Sequence, residues 1–244
     1  MSTFVLIPGA GSDSWYWHRV VPLLEAAGHV AVAPDLPCAD ETKTFPDYAD
    51  VVVEAVQDSA GDAGDVIVVG QSLGGFTAPL VCERLPARLL VLVAAMVPRP
   101  GEAAGEWWDA VGYHEARRVA DVRDGRDPGA PFDEEVLFLH DVPAEVLEGG
   151  EDHWGDQAGR PMEEPWPLDA WPDVDTRFLL CREDRFFPAE LLRRITRERL
   201  GIEADEMGGG HLQALSRPDE LVEWLLAYEA DRLPVRRASV DAPR

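Results

Sequence analysis

The sequence predicts an α/β fold: a mostly parallel sheet of about six strands, helices on both faces, and a helical cap inserted between two strands. Three observations predict it. Short apolar runs alternate with amphipathic stretches through both ends of the chain. Several of these runs, Val66-Ile67-Val68-Val69 foremost, are apolar without alternation, as in strands covered on both faces. From Pro98 to Pro172 the alternation lapses into glycines, prolines, acids and short helical runs that carry Trp107, Trp108, Trp154, Trp166 and Trp171. The expected organisation is therefore a core of residues 1–97 and 173–232, a helical cap over 98–172, and a disordered polar tail over 233–244.

In chain order, Phe4–Ile7 reads as a buried strand closed by a glycine-rich loop, Pro8–Ser14. Trp15–Ala27 reads as one helix, with Ser14 as N-cap and Gly28 as its stop. Val30–Ala33 is a second strand, and Pro46 opens a helix to Ser59. The Val66 run, within Asp65–Val69, is the third strand, followed by Gly70-Gln71-Ser72-Leu73-Gly74 and a helix from Phe76 to Leu85. Leu89–Ala95 is a further buried strand. After the cap come a strand over Thr176–Cys181, a helix over Ala189–Leu200, a weak edge strand over Ile202–Met207 and a closing helix over Pro218–Tyr228. Right-handed crossovers bring the C-terminal ends of all strands to one rim, so chemistry is expected in the loops after Ile7, Val69, Ala95, Cys181 and Met207.

The 244 residues carry a net charge of −24, which repels nucleic acid and anionic membranes. Neither is expected as a partner. No apolar run approaches a membrane span, and Met1-Ser2-Thr3 leads straight into a strand with no secretory pattern, so the expected location is cytoplasmic. Three widely spaced cysteines, Cys38, Cys82 and Cys181, fit neither a disulfide framework nor a zinc site. Cys82 and Cys181 fall in apolar segments and are expected in the core.

Gly70-Gln71-Ser72-Leu73-Gly74 matches the G-x-S-x-G nucleophile elbow, and its context is the required one: a buried strand before it and a helix after it. A serine hydroxyl attacks only when a base takes its proton, and a histidine base needs an acid to fix its tautomer. The elbow resembles that of the α/β-hydrolases, and the resemblance implies the chain order serine, then acid, then histidine. Of six histidines, His18 and His29 precede the serine, and His114, His140 and His153 lie in the cap. Only His211 stands in a glycine-rich loop after the last strand. The loop after Cys181 offers Glu183 and Asp184, of which the shorter Asp184 suits a buried carboxylate held by backbone N–H groups, with Phe186, Phe187 and Pro188 drying the site. The oxyanion donors are expected from the N–H groups of Leu73 and Ala10, the latter flanked by Gly9 and Gly11. A phosphate cradle is disfavoured, because the loop lacks both the P-loop pattern and the G-x-G-x-x-G spacing. Gly9, Trp107, Trp108, Phe132, Phe138, Leu139 and Leu212 are candidate pocket residues.

Phe4-Val5-Leu6-Ile7-Pro8-Gly9-Ala10 with Trp15-Tyr16-Trp17, the Ser72 elbow, the Asp184 loop, and Gly210-His211 with Leu215-Ser216-Arg217-Pro218 resemble the plant methylesterase and hydroxynitrile lyase group of the α/β-hydrolase superfamily and its bacterial relatives. The resemblance spans most of the chain. It implies a carboxylic ester hydrolase that uses Ser72, Asp184 and His211, holds the oxyanion on Ala10 and Leu73, and needs no metal or organic cofactor. Pro8 stands where the group usually carries a histidine, so the loop of this chain departs there from the group's pattern. The lyases of the group carry a threonine at the position of Gly9 and a lysine at that of Leu212, so this chain resembles the hydrolases more. The expected partner is a small, partly apolar ester, the expected state a monomer or homodimer. Alternatives are a ligand-binding protein that keeps the fold without turnover, and a lyase or a C–C or amide hydrolase with the same three residues.

Overall fold

The computed structural model describes residues 1–60, 64–150 and 153–231, together with 235, 237 and 238. Six strands form its sheet: β1 (Ser2–Ile7), β2 (Val30–Val32), β3 (Asp65–Gln71), β4 (Ala87–Val93), β5 (Asp175–Cys181) and β6 (Asp205–Met207). Their order is β2-β1-β3-β4-β5-β6, and every adjacent pair is parallel. All of β1 and all of β3 beyond Asp65 are buried, which requires cover on both faces and explains the unbroken apolar runs.

Helix α1 (Val21–Ala26) packs near α11 (Pro218–Glu229), while α2 (Phe45–Ala60) packs against α3 (Gly74–Cys82). Among the described residues between β4 and β5 lie the helices α4 (Ala104–Ala110), α5 (Tyr113–Arg123), α6 (Glu134–Leu137), α7 (Ala144–Leu147) and α8 (Arg160–Glu163). Helix α9 (Ala189–Ile195) follows β5, and the short α10 (Gln213–Ser216) precedes α11.

Several boundaries differ from the sequence reading. Residues 15–27 are not one helix. A single 3₁₀ turn, Ser14–Trp17, is capped by Asp13 rather than Ser14: the Trp15 N–H donates to Asp13 Oδ1 at 2.9 Å. Helix α1 then starts afresh, because Pro22 in its first turn has no N–H to return to the turn before. Strand β4 stops at Val93, since Ala94 adopts φ +43° and breaks the extended backbone. Helix α9 gives way at Thr196 to a wider turn, Thr196–Leu200, where the Thr196 hydroxyl donates to the Leu192 carbonyl at 2.7 Å. Ile202 leaves β6 and forms an antiparallel bridge with Arg237. The tail expected over 233–244 lies mainly outside the described residues, although Val235 packs against the core.

Candidate active site

The turn after β3 brings strand and helix into backbone contact, and its glycines answer to that. A Cβ on Gly70 would sit 2.8 Å from Ala78 Cβ, one on Gly74 2.7 Å from the Pro8 carbonyl, and one on Gly75 1.9 Å from the Met96 carbonyl. Between them Ser72 is held at φ +51°, a left-handed conformation that costs a non-glycine residue about 1 kcal/mol or more. The next strand secures it: Ser72 N–H donates to the Val93 carbonyl at 3.3 Å, and the Ser72 carbonyl accepts from Met96 N–H at 2.9 Å.

Ser72 Oγ lies 3.0 Å from His211 Nε2, and His211 Nδ1 lies 2.8 Å from Asp184 Oδ2. All three side chains are buried. The other carboxylate oxygen, Asp184 Oδ1, accepts the N–H groups of Phe186 and Phe187, each at 2.8 Å. An ionised carboxylate only accepts, so the proton of a neutral His211 belongs on Nδ1 and Nε2 faces the serine as an acceptor. Glu183 takes a different part. Its carboxylate accepts from Gly209 N–H, while Asp141 Oδ2 accepts from Gly210 N–H at 2.7 Å and Glu220 Oε1 from Gly208 N–H at 3.0 Å. Three carboxylates from separate parts of the chain thus hold three consecutive glycine amides and set the approach of His211.

Among the described residues, the N–H groups of Ala10 and Leu73 donate to no protein acceptor. Gly9 reaches the elbow because it lacks a side chain; a Cβ there would stand 2.7 Å from Gln71 Oε1 and 3.0 Å from Ser72 Cβ. Gln71 Nε2 in turn donates to the His211 carbonyl at 3.1 Å, tying the elbow to the histidine loop.

A cavity of about 350 Å³ opens over Ser72 and His211. Its walls are mainly apolar, with Trp108, Phe138, Leu139, Phe186 and Leu212 among them, and Gly9 at the elbow side. Phe138, Phe186 and Phe187 surround the His211 ring at centroid distances of 5.3, 5.1 and 5.2 Å. Two candidates from the sequence lie elsewhere. Trp107 is fully buried behind Trp108, and its indole N–H donates to the Val97 carbonyl at 3.1 Å. Phe132 is an exposed side chain edge-on to Phe138. Adjacent tryptophans on one helix point to different surroundings, and no composition signal separates them. Tyr16, Met96, Trp154 and Gln157 also line the cavity, and no local signal in the sequence marks them as pocket residues. Burial pushes the Tyr16 hydroxyl well above the ordinary phenol range. No group of side chains suited to a metal ion is found among the described residues.

The alpha/beta hydrolase family model matches residues 4–224. The chain belongs to this family. Among curated proteins it is 27% identical to polyneuridine aldehyde esterase of Rauvolfia serpentina, over 91% of this chain and 94% of that one. It is 38% identical to salicylic acid-binding protein 2 of Nicotiana tabacum over a shorter stretch, 39% of this chain and 40% of that protein. Among solved structures, polyneuridine aldehyde esterase superposes with a TM-score of 0.74 at 24% identity, covering 94% of this chain and 99% of that one. A pyrethroid hydrolase of Sphingobium faniae superposes with a TM-score of 0.72 at 20% identity, covering 94% and 97%. These structural likenesses carry the fold.

Proposed function

We propose that this protein is a serine carboxylic ester hydrolase acting on a small, partly apolar ester. One observation carries the reading: the hydrogen-bonded line Ser72–His211–Asp184 stands on a strained elbow beneath an apolar cavity, beside two N–H groups that find no acceptor among the described residues. Ser72 Oγ attacks the ester carbonyl while His211 Nε2 takes its proton. The oxyanion collects on the N–H groups of Ala10 and Leu73, and His211 returns the proton to the departing alcohol. Water, deprotonated by the same imidazole, then releases the acid from Ser72. Asp184 keeps Nδ1 protonated and stabilises the imidazolium. Curated relatives named as esterases support the ester class.

Cyanohydrin cleavage is disfavoured by Leu212, which lines the cavity directly after His211 and offers no cation to departing cyanide. The decisive experiment is Ser72→Ala on a p-nitrophenyl ester, with a fluorophosphonate probe alongside. The kcat falls by at least about 10³ and labelling disappears. Turnover that persists in this variant overturns the proposal.

A further inference from the structure

Pro8 has no side-chain donor or acceptor to brace the loop that carries Ala10, and the loop is held from elsewhere. Both polar groups of Gly11 are taken by residues between β4 and β5: its N–H donates to Gln157 Oε1 at 3.3 Å, and its carbonyl accepts from Gly155 N–H at 2.7 Å. Ser12 pairs with Trp154 as an antiparallel bridge, and Asp13 Oδ2 lies 2.8 Å from His153 Nδ1. The His153 ring stacks on Trp15, centroids 5.3 Å apart and planes within 5°. Gly11 is suited to this contact alone: it sits at φ +59°, and a Cβ would stand 2.2 Å from the Gly155 carbonyl oxygen.

We propose that the segment 153–157 is the brace that aims the Ala10 N–H at the oxyanion, with Gln157 as its positioning residue. Gln157 is itself anchored to the core. Its Nε2 donates to Tyr48 Oη at 3.2 Å and to the Ala158 carbonyl at 3.3 Å, while Ala158 N–H donates to the Cys38 carbonyl at 2.7 Å. Tyr48 lies on α2 and is buried. The line runs from α2 through Gln157 to Gly11, one peptide beyond Ala10. On the other side Gly9 abuts the Ser72 elbow. Ala10 therefore sits between two fixed points, one supplied by the catalytic turn and one by the inserted segment. A donor fixed before the reaction is worth far more than one that must be reoriented during it.

The role rests on the esterase reading, and the experiment separates the two. Wild-type protein that neither turns over a p-nitrophenyl ester nor takes a fluorophosphonate removes the esterase reading, and the brace is then judged by amide exchange. In an active protein, Gln157→Leu lowers kcat about 10- to 100-fold with KM within about twofold, the mark of an interaction made in the transition state. Gln157→Glu keeps an acceptor for Gly11 N–H but loses the donations to Tyr48 Oη and the Ala158 carbonyl, so its kcat falls between those of wild type and Gln157→Leu. In Gln157→Leu the Gly11 amide exchanges faster while amides of β3 do not change, and that readout holds whatever the activity. If Gln157→Leu does not fold, the same exchange measurement on wild type shows Gly11 and Gly155 opening as one unit. An unchanged kcat, a loss confined to KM, a Glu variant no faster than Gln157→Leu, or independent exchange of Gly11 and Gly155 overturns the proposal.

Discussion

Replacing Asp184 with asparagine tests the polarity of the whole hydrogen-bond line. Asp184 Oδ1 accepts from Phe186 and Phe187 N–H, each at 2.8 Å, in a dry setting. In Asp184→Asn only the carbonyl oxygen can take that place, so the NH₂ group turns toward His211 Nδ1, where Oδ2 stood at 2.8 Å. The amide now donates, Nδ1 must accept, and the imidazole proton moves to Nε2. There it points at Ser72 Oγ across 3.0 Å and the base is lost. Flipping the amide would leave two buried N–H groups unpaired, at about 1–3 kcal/mol each, so the wrong tautomer prevails. The expected loss is about 10⁴ in kcat, or about 5.5 kcal/mol of transition-state stabilisation, with KM little changed. Steady-state hydrolysis of a p-nitrophenyl ester reads the loss, and imidazole nitrogen chemical shifts read the tautomer. A kcat within tenfold of wild type, with the proton still on Nδ1, would refute the reasoning.

Two further outcomes concern stability and pH. Arg199 and Glu102 form a nearly dry ion pair with N···O of 2.5 Å, their side chains 2% and 10% exposed. Glu102→Ala leaves the buried guanidinium with no counter-charge and only the Val97 carbonyl, 2.6 Å from Nη1, and the loss of about 3–5 kcal/mol appears as a lower midpoint in urea; a change below about 1 kcal/mol contradicts the burial argument. His140, beside Gly210, has its pKa lowered below 6.5 by burial and by the Arg185 and Arg126 guanidinium groups, against the pull of Asp141 and Asp184. The unfolded chain then binds the proton first as pH falls, so this contribution is complete above the ordinary histidine value and is lost as pH drops from 6.5 through the lowered one. His140→Gln should flatten that part of the urea-midpoint profile, and an identical acid slope in both proteins counts against it.

How far the site was legible depended on whether chemistry and backbone signals coincided. Ser72 was readable because the elbow forces glycines at Gly70 and Gly74, whose neighbours leave no room for a Cβ. His211 was readable because Gly208, Gly209 and Gly210 precede it after an apolar strand. Asp184 and Glu183 were adjacent, and only the fold sends one to the imidazole and the other to Gly209 N–H. Trp107 and Trp108 looked alike as pocket residues, yet one donates its N–H into the core and the other faces the cavity. Helix boundaries slipped for local reasons, Pro22 and Thr196 among them, that compete with a continuous apolar pattern.

By itself, then, the chain determined the doubly covered parallel sheet, the rim on which its loops meet, and the residue types that stand there. Unbroken apolar runs and close-approach glycines are demands of the backbone, and they show in any linear reading. Only the tertiary structure decided which residues between β4 and β5 meet the loop after β1, because Gln157 and Gly11 are 146 positions apart and carry no local signature of each other. The same holds for Asp141 on Gly210. Such contacts arise from where an irregular insertion folds back, and they decide how a serine already marked by its turn is held to its work.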